Sequence, residues 1–156
     1  MLAPLRLFAL VSLVPLVAGC VAGCGGSGGN AYETATEDCV NTINAYRKTL
    51  GLAAYTRWTV EESCVDSQAQ ADSNSGTPHS AFGRCGESAQ NECPGWPGPP
   101  ETMITQCLAQ MWAEGPGTDF SAHGHYINMS STSYTQVACG FYVKSDMTVW
   151  ATQNFK

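Results

Sequence analysis

Residues 134–156, YTQVACGFYVKSDMTVWATQNFK, decide the class of fold. β-Branched and aromatic residues fill positions 134–143 and again positions 147–155, which predicts two strands. The polar stretch Lys144-Ser145-Asp146 between them predicts a turn, so we expect the two strands to pair as a hairpin. The chain therefore ends in a β unit.

Three helices are predicted ahead of this hairpin. Apolar positions 40, 43, 46 and 50 fall on one helical face, which predicts a helix over residues 39–50. Thr59 precedes Glu62 by three residues, as in a capping box, and predicts a second helix that runs to residue 74. The third opens at Pro100 and carries an apolar stripe to residue 112. Helices first and a hairpin last indicate an α+β fold.

Two stretches predict irregular structure. Residues 76–100 hold five prolines and five glycines, so we expect a loop region that disulfides fasten. The short segment after Gly115-Pro116-Gly117, which contains two of the three histidines, is predicted to be a break between the third helix and the hairpin.

The N-terminal residues predict export. Residues 1–19 have one charge, an apolar run and small residues before Cys20, as in a signal peptide. The string Val-Ala-Gly-Cys resembles a bacterial lipobox and occurs twice, so either Cys20 or Cys24 is the expected acylated residue; the alternative is an ordinary secretory signal. Residues 20–36 are rich in glycine and predict a flexible spacer, which leaves 37–156 as one domain.

Six cysteines remain in the domain. In an exported chain an even number predicts a disulfide framework, and no spacing among them is that of a zinc ribbon. Six cysteines allow 15 connectivities, of which the pairing by neighbours in the chain is the one we favour. That pairing is Cys39–Cys64, Cys85–Cys93 and Cys107–Cys139.

Charge excludes two kinds of partner. Without Arg6 of the signal, the chain has 6 basic and 13 acidic residues, a formal net charge of −7. Nucleic acid and anionic lipid headgroups both attract basic surfaces, so neither is an expected partner.

A few side chains suit metal or acid–base chemistry. The three histidines are His79, His123 and His125, and Glu87 and Glu114 occupy unusual positions, beside a cysteine and at the end of the third helix. Imidazole nitrogens and carboxylate oxygens are the ligands that zinc takes, and a catalytic zinc site keeps one coordination position open.

Five motifs in matching order resemble the CAP superfamily of cysteine-rich secretory, antigen-5 and pathogenesis-related proteins. Gly124-His125-Tyr126 followed by TQVACG at 135–140 resembles the family signature. Residues 41–47, Trp58, Pro78-His79-Ser80 and Gly86-Glu87-Ser88 resemble, in turn, the first-helix pattern, the Leu-x-Trp segment, the His-Ser loop and the Gly-Glu-Asn motif. The likeness covers about residues 37–156.

The resemblance implies an α-β-α sandwich, in which a small antiparallel sheet lies between helices and a cleft holds two His and two Glu. Carried onto this chain, these are His79, Glu87, Glu114 and His125, which in relatives can bind Zn²⁺ or another divalent metal. His123, two residues before His125, is an alternative ligand. The chain departs from the family where Met111 takes the place of a tryptophan, with Trp112 following it, and where Ser88 replaces an asparagine.

Together with the lipobox-like string, the resemblance favours a monomeric, non-catalytic binding module in the cell envelope or outside the cell, held to a membrane by its lipid anchor. Its expected ligand is a lipid or sterol, or another extracellular macromolecule. The alternative is a zinc-dependent hydrolase or peptidase in which Glu87 or Glu114 acts as the general base. The sequence leaves the ligand and the identity of the metal open.

Overall fold

The computed structural model describes residues 31–156, in which four α-helices and four strands form an α+β sandwich. In chain order the helices are α1 Glu33–Thr49, α2 Glu62–Ser75, α3 Pro100–Ala113 and α4 Phe120–Ser130. The strands are β1 Thr56–Arg57, β2 Ala89–Pro97, β3 Gln136–Val143 and β4 Thr148–Phe155, and one turn of 3-10 helix, Thr59–Glu61, precedes α2.

The predicted hairpin is the centre of the sheet. The strand order is β1-β3-β4-β2, so β3 and β4 each have a neighbour on both sides. The β3–β4 pairing runs from Val137 opposite Phe155 to Val143 opposite Val149. β2 pairs antiparallel with β4, whereas β1 is parallel to β3, so the sheet is mixed and not purely antiparallel as the resemblance implied.

Helices cover both faces of this sheet. Along β3, Val137, Cys139 and Phe141 belong to the main core with α1 and α3, whereas the intervening Ala138 packs with Val65 of α2. At Gly140, also on the α2 side, an added Cβ would run into the backbone at Val65, so glycine lets α2 approach the strand closely. This arrangement confirms the predicted sandwich.

Both irregular stretches contain regular structure that the sequence analysis did not predict. Residues 89–97, inside the predicted loop, form the edge strand β2, because pairing with β4 compensates for the low strand propensity of its Gly and Pro. The predicted break around His123 and His125 is helix α4, which Asp119 caps by accepting a hydrogen bond from Ser121 N at 2.9 Å. Two of the three histidines, His123 and His125, therefore lie on a helix.

The six cysteines of residues 31–156 are all paired, but the favoured connectivity was wrong. The bonds are Cys39–Cys139, Cys64–Cys85 and Cys93–Cys107. Each joins a helix to the strand or loop beside it. Cys64–Cys85 and Cys93–Cys107 still join cysteines that are neighbours in the chain, whereas Cys39–Cys139 spans 100 residues and thereby changes the pairing of all the others.

The N-terminal predictions fall largely outside the described residues. The signal peptide over 1–19, Cys20, Cys24 and most of the spacer lie before residue 31. The spacer was predicted to reach residue 36, yet α1 begins at Glu33 and buries Ala35 and Thr36. Across residues 31–156, no helix combines the length and the apolar character that crossing a bilayer requires.

Removing single disulfides tests the layer-to-layer bonds. Cys39–Cys139 spans 100 residues and Cys93–Cys107 spans 14. Since the longer loop loses more unfolded-state entropy, replacing both cysteines of the first pair by alanine should cost about 4–5 kcal/mol, against about 3 kcal/mol for the second. Urea unfolding of the two double variants measures this; equal costs would contradict the loop-entropy explanation.

Asp66 of α2 should make stability depend on pH. Its Oδ1 accepts a hydrogen bond from Phe141 N at 2.7 Å, and burial raises the pKa of Asp66 to about 6. This pKa lies above the value of about 3.9 in an unfolded chain, so the folded state binds the proton more tightly. Its contribution is therefore present below about pH 4 and is lost as pH rises to about 6.

The variant Asp66→Asn keeps the acceptor for Phe141 N and removes the titration. We expect the unfolding free energy of the wild type, relative to this variant, to fall by about 1 kcal/mol between about pH 4 and pH 6, after allowance for solvent screening. Urea unfolding at several pH values measures the difference. Parallel pH curves for the two proteins would show that Asp66 does not titrate in this range.

Candidate functional site

His79 lies on the loop between α2 and β2, and its backbone is held in a left-handed conformation. Its φ is +61°, which few residues other than glycine adopt. The amide N–H of His79 donates to Glu92 Oε2 at 2.7 Å. A residue other than glycine is strained in this backbone conformation, and its surroundings must offset the strain. The hydrogen bond to the buried carboxyl group of Glu92 does so and fixes the loop.

A network of amides fixes which nitrogen of His79 carries hydrogen. Gln90 Nε2 donates to Asn154 Oδ1 at 3.0 Å, so Gln90 presents its oxygen to the imidazole. His79 Nδ1 lies 2.8 Å from that oxygen and must be the donor. In the neutral ring, Nε2 is then left with its lone pair.

His125 is oriented in the same way by Glu114. His125 Nδ1 lies 2.5 Å from Glu114 Oε1, and a carboxylate can only accept, so the ring donates through Nδ1. Glu114 Oε2 also accepts from the backbone N–H of His125 at 3.0 Å and of Tyr126 at 3.3 Å. Glu114, at the end of α3, therefore positions the His125 ring and leaves Nε2 as the free nitrogen.

Three of the four residues of the expected metal set line one cavity. It has a volume of about 110 Å³ and lies where the two helical layers meet beside the edge strand β2. His79 comes from the α2 side, whereas Glu114 and His125 come from α3 and α4. Three of the four residues that the resemblance predicted therefore lie at one cavity.

Glu87 is the member that the structure does not bring to this cavity. Its side chain is buried and accepts hydrogen bonds from Gly83 N at 2.5 Å, Cys85 N at 3.0 Å and Gln68 Nε2 at 2.6 Å. These bonds, together with the Cys64–Cys85 disulfide, hold the loop that carries His79. Glu87 therefore organises the loop.

Glu92 is a site residue that the sequence analysis missed. It is 4% exposed, contacts His79 as described, and lines a second cavity of about 300 Å³ that Glu114 and His125 also line. Burial, and then the nearby Asp72 carboxyl, raise the pKa of Glu92 above its usual range. The sequence carries no local signal for it, because only the pairing of β2 with β4 places Glu92 beside the His79 loop.

His123 faces away from this cavity. Its Nδ1 bonds to the carbonyl oxygens of Glu114 and Gly115 at 2.7 and 3.0 Å, so it satisfies backbone groups at the end of α3. Trp112, which follows the position where relatives carry a tryptophan, stacks on Tyr46 at 4.9 Å and contacts Tyr126 at 4.5 Å. The contact with Tyr126 holds α4, which carries His125, against α3.

The described side chains form no tight three-ligand cluster in the cleft. Across residues 31–156, the one group of three ligand-type side chains whose ligand atoms all lie within 4.8 Å of one another is Glu61, Cys64 and Cys85. Its two sulfurs are bonded to each other and offer no thiolate. Both imidazoles line the same cavity, and Nε2 of each ring is the nitrogen that is not bonded to Gln90 or Glu114.

The fold and the three disulfides are those of an extracellular type of domain. Comparisons with known proteins agree. The model of the cysteine-rich secretory protein family, known as CAP, matches residues 40–155, and the chain belongs to this family. No curated protein sequence matches the chain.

Solved structures share the fold at low sequence identity. BmVAL-1 is 17% identical with a TM-score of 0.62, over 83% of this chain and 80% of that one. Venom allergen-like protein 4 of Schistosoma mansoni, SmVAL4, is 12% identical with a TM-score of 0.53, over 78% and 89%. Na-ASP-1 is 12% identical with a TM-score of 0.56 over 77% of this chain, which covers only 38% of Na-ASP-1. At these identities the likeness shows the fold.

Two substitutions test the backbone at His79. Both His79→Gly and His79→Ala remove the imidazole, but only alanine keeps a Cβ in the left-handed region. We expect His79→Gly to be more stable than His79→Ala by about 1 kcal/mol. Urea unfolding of the two variants measures the difference, and equal stabilities would mean that residue 79 is not left-handed.

Proposed function

We propose that this protein is an exported CAP-type binding module whose cleft holds a divalent cation through Nε2 of His79 and of His125. The observation that supports the proposal is that both rings donate Nδ1–H to a fixed acceptor and line the same cavity. Neutral imidazoles held in this way are the usual ligands of zinc, and an acceptor on the second nitrogen orients the ring and raises its basicity.

Binding is favoured over hydrolysis because both expected general bases, Glu87 and Glu114, already accept hydrogen bonds from other groups of the protein. Glu114 accepts from the His125 ring and from two backbone amides, and Glu87 accepts from three donors away from the cavity. A general base must reach a metal-bound water within hydrogen-bond distance. These two carboxylates instead orient the His125 ring and hold the loop that carries His79.

The bound cation is proposed to act with a larger ligand, a lipid or an extracellular macromolecule. The row of cavities on both sides of the two histidines supports this proposal, because together they offer more room than an ion needs. The lipobox-like sequence at Cys20 and Cys24 supports a tether at the membrane, and the three disulfides support an oxidising compartment. The domain would then present its cleft outside the cell.

Zinc titration by calorimetry tests the cation site. The metal-stripped wild type should bind one zinc ion, and His79→Ala and His125→Ala should each abolish saturable binding. Glu114→Gln should weaken binding by about 10- to 100-fold, because it removes the carboxylate that orients His125.

One control variant separates the site from the rest of the molecule. His123→Ala removes the histidine that bonds to the end of α3 and should keep the wild-type zinc affinity. Unchanged zinc binding in His79→Ala and His125→Ala would contradict the proposal, as would loss of binding in His123→Ala with the fold intact.

A further inference from the structure

An apolar chamber adjoins the cavity that His79 shares with His125, and His79, Gln90, Phe120 and Asn128 line both spaces. Its volume is about 420 Å³, and it is lined by side chains from the His79 loop, β2, α4 and the segment before β3. Volumes of about 300–1,000 Å³ are typical of sites for small molecules. The chamber is thus large enough for a molecule of two fused rings.

Two phenylalanines that come from different elements are exposed at this chamber. Phe82, on the His79 loop, is 49% exposed, and Phe120, the first residue of α4, is 62% exposed. Leaving a phenylalanine side chain in water forgoes about 1.5–3 kcal/mol of burial. Two such side chains that line one chamber indicate a surface for an apolar partner.

Gly124 allows Phe120 to occupy its place at the chamber. A Cβ on Gly124, one helical turn after Phe120, would lie 3.1 Å from the aromatic ring. Without that Cβ, the ring lies back over α4 and lines both the chamber and the cavity of the two histidines. The position of Phe120 is therefore built into α4.

The polar groups of the chamber select the kind of ligand. Asn128 Nδ2 donates to Asn91 Oδ1 at 2.9 Å, and the amide of Gln90 bonds to Asn154 and to His79, so these amides already have partners. His79 Nε2 remains as an acceptor. The lining contains neither Lys nor Arg, so an anionic ligand would find no opposite charge there.

We propose that the chamber bounded by Phe82, Phe120 and Tyr134 binds a compact aromatic molecule with one hydroxyl donor, and that His79 Nε2 accepts this hydrogen bond. Aromatic rings stack against the two phenylalanines, and a phenolic hydroxyl can donate to the free Nε2 of His79. The site shares His79 with the proposed cation site but does not require a cation.

Binding of 2-naphthol to the oxidised, metal-free chain tests the proposal. Isothermal titration or ligand-observed NMR gives the Kd at a pH where the hydroxyl is protonated. Phe82→Ala and Phe120→Ala should each weaken binding about 3- to 10-fold, the worth of one aromatic contact. Leu50→Ala, at a residue 47% exposed that does not line the chamber, is the matched control and should not change the Kd.

The hydrogen bond is tested with two further ligands. The naphthalene methyl ether 2-methoxynaphthalene lacks the donor and should bind about 3- to 10-fold more weakly than 2-naphthol. His79→Ala should remove this difference between the two ligands. The anion 2-naphthoate should bind more weakly than 2-naphthol, since the chamber offers no cationic side chain.

Three outcomes would overturn the proposal: no saturable binding of 2-naphthol by the folded wild type up to its solubility limit, unchanged affinity in both phenylalanine variants, or tighter binding of 2-naphthoate. The variant His125→Ala separates this proposal from the cation site. It should abolish zinc binding and leave the Kd of 2-naphthol unchanged, because His125 does not line the chamber.

Discussion

Buried polar side chains between α2 and the sheet are the constraint on which the cleft depends. The β4 side chains Thr152 and Asn154 bond to Glu92 of β2 and to Gln68 of α2, respectively, and all four are buried. Buried donors and acceptors without partners are costly, so this layer tolerates few arrangements. A helix more often packs on a sheet through apolar side chains, which restrict its position much less than hydrogen bonds do. Here the hydrogen bonds determine where α2 sits.

The same bonds extend to the functional residues. The amide of Asn154 fixes that of Gln90, which in turn fixes the tautomer of His79, while Glu92 holds the His79 backbone in its unusual conformation. On the other side of the cleft, Glu114 performs the corresponding task for His125. The two imidazoles are thus oriented independently, one by side chains of the sheet and the other by the end of α3, and both line one cavity.

Local patterns in the sequence predicted the elements that local interactions decide. The hairpin, three of the helices and the α+β class followed from periodicity and turn residues, and β3, β4, α2 and α3 lie close to their predicted bounds. Strand β2 was missed because its pairing with β4 joins residues about 60 positions apart, which no local pattern records. The disulfide pairing failed for the same reason.

The site was only partly readable from the sequence. His79, Glu114 and His125 came from the family resemblance, and the structure brings them to one cavity. Glu87 satisfies the same motif but accepts hydrogen bonds from its own loop, a distinction that depends on side-chain direction. Phe82 and Phe120 had no signal, since an exposed aromatic residue is recognised only once the surface is known.

The position of the cleft between the two helical layers has a consequence for resistance to unfolding. His79 belongs to the layer of α2 and His125 to that of α4, so an ion held by both would clamp the layers together beside the edge strand. Separating them would then require releasing the ion, and occupancy adds RT ln(1 + [L]/Kd) to the free energy of unfolding. Outside the cell, a domain that holds an ion in this way would resist unfolding most where the ion is abundant. Its rate of proteolysis would then depend on the local concentration of the ion.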